Sequence, residues 1–95
     1  MALFALFCLD KPNALELRMA TRPAHVAYLQ ANGAALKLAG PLLDDQGDMM
    51  GSMLVIDVED TTTAQAFAAA DPYAQAGLFS SVAVHGYRVG LGKLG

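Results

Sequence analysis

Residues Ala2 to Leu9 form an unbroken apolar run that carries two phenylalanines, and Asp10-Lys11-Pro12-Asn13 closes it. An apolar run without alternation, ended by a turn, reads as a strand buried on both faces. Met1 to Leu9 is the longest apolar stretch in the chain. It is too short to span a bilayer, which takes about 20 residues, and it lacks the basic start of a signal peptide. A strand of this kind needs a cover on each side.

The first cover follows directly. Asn13 is a suitable N-cap and Glu16 lies three residues on, a variant of the capping box. A helix over 14–31 is expected, with Leu15, Met19, Val26 and Leu29 as its apolar stripe and Asn32-Gly33 as its end. Pro23 interrupts it, so the helix either kinks there or restarts with Pro23 in its first turn. Ala34 to Ala39 reads as a second strand, punctuated by Gly40-Pro41. The polar segment Asp44-Asp45-Gln46-Gly47-Asp48 can join two antiparallel strands. Gly51 to Glu59 is the third strand, with Met53, Val55 and Asp57 on one face and Leu54, Ile56 and Val58 on the other. Thr61 to Thr63 offer caps for an alanine-rich helix over 64–70, which Asp71-Pro72 stops. Tyr73 to Leu78 forms one further turn, Ser81 to Val89 the last strand, and Gly90 to Gly95 a small tail.

The order strand, helix, strand, strand, helix, strand over residues 1–95 predicts one α+β domain. It is a ferredoxin-like βαββαβ fold with a four-stranded antiparallel sheet and both helices on one face. Those helices cover one side only. The second face of the first strand then needs another cover, and the simplest is the same face of a second copy. A homodimer is therefore predicted, its two sheets packed about 10 Å apart. Composition agrees: 55% of residues are apolar and only 16% charged, a high apolar share for a small chain. Net charge is −3 without a basic cluster, which argues against nucleic acid as a partner. The single Cys8 cannot form an internal disulfide, which fits a reducing, cytoplasmic location without membrane attachment.

Chemistry concentrates on the first helix. Arg18, Arg22, His25 and Leu29 are spaced four, three and four apart and fall in one band along the apolar stripe, with Arg22 near its middle. A cation and an imidazole facing a sheet either find partners or extend to the helix edge. Asp71 lies on the packing face of the second helix, four residues after Phe67, at the end where its charge opposes the helix dipole. It is either a turn residue before Pro72 or the partner of a cation. Because both helices share one sheet face, His25 and Asp71 can meet. A carboxylate bonded to one imidazole nitrogen fixes the tautomer and leaves the other nitrogen as a base. Cys8 reads as core, His85 as a structural strand residue, the Asp44–Asp48 carboxylates as a solvated turn rather than a calcium loop, and the five methionines as packing. No metal-ligand cluster and no phosphate-binding glycine loop is present, so neither metal nor cofactor is expected.

Several of these segments together resemble the YCII-related (YciI-like) domain family: Arg22-x-x-His25-x-x-Tyr28-Leu29, Ala39-Gly40-Pro41-Leu42, Gly51-Ser52, and Asp71-Pro72-Tyr73 followed by Ala76-Gly77-Leu78-Phe79. The resemblance covers nearly the whole chain in order, and Asp-Pro-Tyr with Ala-Gly after it is its most specific part. It implies a dimeric α+β barrel of ferredoxin-like protomers and a His–Asp site, which maps onto His25 and Asp71. It also implies that Gly40, Pro41 and Ser52 lie near that site, with Arg22 and Tyr73 among the ligand-binding residues. Some members resemble dehydrochlorinases of chlorinated hydroxyquinols; most have no established reaction. Two function classes stand open. One is a cofactor-independent enzyme in which His25 exchanges a proton with a small polar or aromatic molecule, Asp71 orients it, and Arg22 or Ser52 holds an oxyanion. The other is a non-catalytic dimeric module that binds a small ligand or a partner protein in the same pocket. A third reading, in which the pair only braces two helices, predicts no ligand.

Overall fold

The computed structural model describes residues 1–94; the end of the C-terminal tail, Gly95, lies outside the described residues. The elements are β1 (Ala2–Asp10), α1 (Leu15–Ala31), β2 (Leu36–Leu43), β3 (Met49–Val58), α2 (Thr61–Ala70), α3 (Pro72–Gln75) and β4 (Phe79–Tyr87). The four strands make one antiparallel sheet in the order β2-β3-β1-β4. This is the βαββαβ arrangement, with one short extra helix, and β1 lies inside the sheet as its apolar run requires.

Alternation divides β1 between two environments. Phe4, Leu6 and Cys8 face the helices and join Leu54, Ile56 and Val58 of β3, Leu29 of α1, and Ala64, Phe67 and Ala68 of α2 in the core. Leu3, Ala5, Phe7 and Leu9 face the other way, in register with Asp57, Val55, Met53 and Gly51 of β3. On that second face Phe7, Leu38 and Tyr87 are exposed large apolar side chains. No helix among the described residues is long and apolar enough to cross a membrane.

Several local expectations are corrected. Asn13 is not the cap of α1: it takes a left-handed conformation with φ 57°, which Asn tolerates. Ala14 holds the cap position without any side-chain cap bond. Pro23 neither ends nor restarts α1, which runs as one helix. Arg22, Pro23 and Ala24 are all on the exposed side, where water can take the carbonyl that the missing proline N–H leaves free. Leu15 and Met19 are largely exposed, and the buried positions of α1 are Arg18, His25 and Leu29. Arg22 is exposed rather than central to the buried face. Gly40-Pro41 does not end β2 but lies inside it. That is possible because β2 is an edge strand, where a proline costs no ladder bond on its open side. The cap of α2 is Asp60, whose Oδ1 accepts from the Thr63 N–H at 2.8 Å and from the Thr63 hydroxyl at 2.7 Å; the threonines form the first turn instead.

Other features follow the sequence. The Asp44 carboxylate accepts from the N–H groups of Gln46 and Asp48, both at 2.9 Å, and Gly47 has φ 84°. The aspartates therefore close the β2–β3 hairpin. His85 is exposed on β4 and paired with Ala5, on the face away from the helices.

Candidate functional site

The junction between α2 and α3 is made by one residue. Asp71 caps the end of α2 and the start of α3, its Oδ1 accepting from the Tyr73 N–H at 2.9 Å with Pro72 in the first position of α3. The turn reading and the partner reading of Asp71 are thus both realised. The same carboxylate meets His25 Nδ1 at 2.8 Å from Oδ1 and 3.0 Å from Oδ2, and both residues are buried. Because Asp71 Oδ1 already accepts a backbone N–H, it is the acceptor toward His25 as well. Nδ1 therefore carries the hydrogen and Nε2 is left for something else.

A second polar pair lies beside the first. Arg18 comes from the start of α1 and Asp10 from the end of β1. Arg18 Nε donates to Asp10 Oδ2 at 2.7 Å, and Nη2 donates to Asp10 Oδ1 at 3.0 Å and to the Ser52 hydroxyl at 2.8 Å. Burial works against the Arg18 charge, but the hydrogen bonds and charge of Asp10 outweigh it and raise the guanidinium pKa. Ser52 is placed by the register of β3, in which it pairs with Cys8 of β1. Gly51 before it has no room for a side chain, since a Cβ there would collide with the Cys8 carbonyl oxygen. The Gly-Ser motif is therefore a close approach of two strands followed by a buried hydroxyl.

Tyr73 joins the two pairs. Its ring stacks on the His25 imidazole with centroids 4.0 Å apart and 19° between planes. The Arg18 guanidinium carbon lies 4.5 Å from the same ring's centroid, a cation–π distance. Burial raises the Tyr73 hydroxyl pKa, and the charges of Arg18 and Arg22 pull it back in part. Tyr28 braces the helices, its hydroxyl donating to the Phe67 carbonyl at 2.8 Å. Under the site, Cys8 is pushed from its ordinary 9.0 up to about 12, by burial first and by the nearby Asp71 charge second.

Above these groups is a cavity of about 490 Å³ whose lining includes Arg18, Arg22, His25, Ser52 and Tyr73, with Gly40 and Pro41 on the β2 side. The structure thus brings the ligand-binding residues read from the sequence to one cavity, with His25 among them and Asp71 behind His25. Arg22 contributes from the exposed side. The sequence places Arg18 in the band but assigns the anion-holding role to Arg22 or Ser52, and it gives Asp10 no role beyond closing β1. Arg18 shares the helical band of His25, which was a usable signal; Asp10 carried none, because a residue closing a strand looks like a turn.

Comparison with known proteins gives a consistent result. The pattern of the YCII-related domain matches residues 2–88. Protein YciI of Escherichia coli is 36% identical over 94 residues, covering 90% of this chain and 96% of that protein. An uncharacterized protein of Haemophilus influenzae is 34% identical over 93 residues, covering 90% and 95%. Among solved structures, 5-chloro-2-hydroxyhydroquinone dehydrochlorinase of Burkholderia phenoliruptrix, in complex with 2,5-dihydroxybenzoquinone, superposes with a TM-score of 0.85 at 33% identity, covering 93% of this chain and 95% of that one.

Proposed function

The chain belongs to the YCII-related domain family, and on that premise we propose that it is a small enzyme that moves protons on a hydroxylated or otherwise polar aromatic molecule, in an elimination or isomerisation. The observation that carries this reading is the buried His25–Asp71 pair, with the free edge of the imidazole beside the cavity. Asp71 stabilises His25 when it takes up a proton at Nε2 and holds the ring in place when it returns one. A hydroxylated chloroaromatic loses hydrogen chloride only if a ring carbon gains a proton while hydroxyl groups give theirs up; one proton and one chloride leave in total. A single imidazole beside the ring can do both transfers. The structural relative that acts as a dehydrochlorinase supports this class of reaction.

The assembly belongs to the same proposal. The uncovered sheet face, with Phe7, Leu38 and Tyr87 exposed, fits a homodimer with two sheets face to face. The reading also places the protein in the cytoplasm, with a small molecule rather than a nucleic acid or a membrane as its partner.

The test is turnover of 5-chloro-2-hydroxyhydroquinone, followed by chloride release, in the wild type and in His25→Ala and Asp71→Asn. The proposal expects release by the wild type, a fall of at least about 10²-fold in His25→Ala, the scale of one acid–base group, and a smaller fall in Asp71→Asn. A wild type that binds the dihydroxyquinone without releasing chloride from the chlorinated compound would move the protein to the non-catalytic binding class, and a His25→Ala variant that keeps full activity would remove the His25–Asp71 pair from the chemistry.

A further inference from the structure

The hydrogen-bond inventory of Arg18 is incomplete in an informative way. A guanidinium has five N–H donors. Nε uses its one on Asp10, and Nη2 uses its two on Asp10 and Ser52. The remaining nitrogen, Nη1, makes no hydrogen bond among the described residues, although the Tyr73 hydroxyl lies near enough to the guanidinium to favour its charge. Yet no sealed polar side-chain atom lacks a partner among them, although Arg18 as a residue is only 3% exposed. Nη1 is therefore not enclosed by protein; the open space that Arg18 borders is the cavity.

Ser52 repeats the pattern. Its oxygen accepts from Arg18, its own hydroxyl hydrogen has no acceptor among the described residues, and it too is 3% exposed. The cavity lining includes two arginines and a histidine but no carboxylate. Asp10 faces Arg18 and Asp71 faces His25, both behind the lining.

We propose that Arg18 is the anion-binding residue of this pocket. It holds a planar conjugated oxyanion (an enolate, phenolate or carboxylate oxygen) through Nη1, with the Ser52 hydroxyl as the second donor. Asp10 does not neutralise this role. Its two-point bond fixes the guanidinium plane and leaves one edge turned out, so the donors are in place before the ligand arrives. The exposed Arg22 attracts the anion to the mouth, and Arg18 fixes its position. The inference rests on the reading of the cavity as the ligand site, and adds to it the charge of the ligand and the residue that reads that charge.

The probes are 2,5-dihydroxybenzoquinone, a vinylogous acid that ionises, and 2,5-dimethoxybenzoquinone, which has nearly the same shape and cannot. Affinities are measured by calorimetry for the wild type and for Arg18→Lys, which keeps a positive charge for Asp10 but has no second fork edge. The expected result is a wild-type preference for the dihydroxy compound of about tenfold or more, the scale of one charge-assisted hydrogen bond, lost in Arg18→Lys. If the wild type binds neither quinone, the ligand site is elsewhere and both readings fall. A wild type that binds both equally, or an Arg18→Lys variant that keeps the preference, overturns the Arg18 assignment alone. Should Arg18→Lys fail to fold, nitrogen-15 spectra of the wild-type arginine side chains decide: the Arg18 guanidinium signals shift in the dihydroxyquinone complex, and unchanged signals in a complex that forms refute the assignment.

Discussion

The Tyr73 ring lies nearly parallel to the His25 imidazole at 4.0 Å, while the Tyr73 backbone N–H binds the same Asp71 oxygen that faces His25 Nδ1. One residue therefore limits both the tilt of the imidazole and the position of the carboxylate that holds it. His25 is clamped on a ring face and at Nδ1, and only its Nε2 edge is uncommitted. Neutral His25 should accordingly carry its proton on Nδ1. Two-bond proton–nitrogen correlation spectra should show that tautomer in the wild type and a mixture in Asp71→Asn. A wild type dominated by the Nε2–H form would contradict the assigned roles.

Among the described residues Asp10 is the sole acidic partner of a nearly buried Arg18. Removing its charge leaves the guanidinium without compensation, which for buried pairs costs about 3 kcal/mol or more. Asp10→Asn should lower the urea-unfolding free energy by about 3 kcal/mol, toward the low end because Arg18 keeps one open edge. A change below about 1 kcal/mol would mean that the pair is already well hydrated.

The Cys8 thiol, pushed up to about 12, should behave as an inert core group. Iodoacetamide at pH 8 should modify it only in denaturant, since the thiolate is the reactive form. The same shift sets a sign for stability. The unfolded thiol ionises near 9 and the folded one does not until about 12. Stability from this group is thus complete below pH 9 and is lost as pH rises from about 9 to 12. Cys8→Ala should flatten that part of the stability–pH curve; an unchanged curve would show that the loss comes from other groups.

Phe7 faces away from the helices, 39% exposed, beside other apolar side chains of the sheet. Placing a charge in a face-to-face sheet interface would cost far more than placing it in water. Phe7→Lys should therefore convert the proposed dimer to a monomer in sedimentation velocity while leaving the circular dichroism spectrum intact. A wild type that sediments as a monomer at high protein concentration would remove the dimer proposal altogether.

How far the chain could be read depended on the kind of signal. Strand order and the βαββαβ pattern came from runs such as Ala2–Leu9 and the β3 alternation, because burial on one or both faces leaves a direct periodic trace. Element ends were read less well. Asn13, Thr61–Thr63 and Gly40-Pro41 all carry strong local preferences, and each was overridden by its surroundings: a left-handed turn, a better cap at Asp60, and an open sheet edge that accepts proline.

The site divides along the same line. By themselves the residues determine that His25 sits in a helical band with Arg18 and Arg22, and that Asp71 ends a helix where its charge is unfavourable; both facts follow from spacing within one element. The tertiary structure alone decides that Arg18 rather than Arg22 turns inward, and that Asp10 and Ser52 become its partners over separations of 8 and 34 residues. Helical spacing specifies an angle around an axis but not the direction in which that axis faces the sheet. A buried charge shows itself only when the chain has brought its counter-charge beside it.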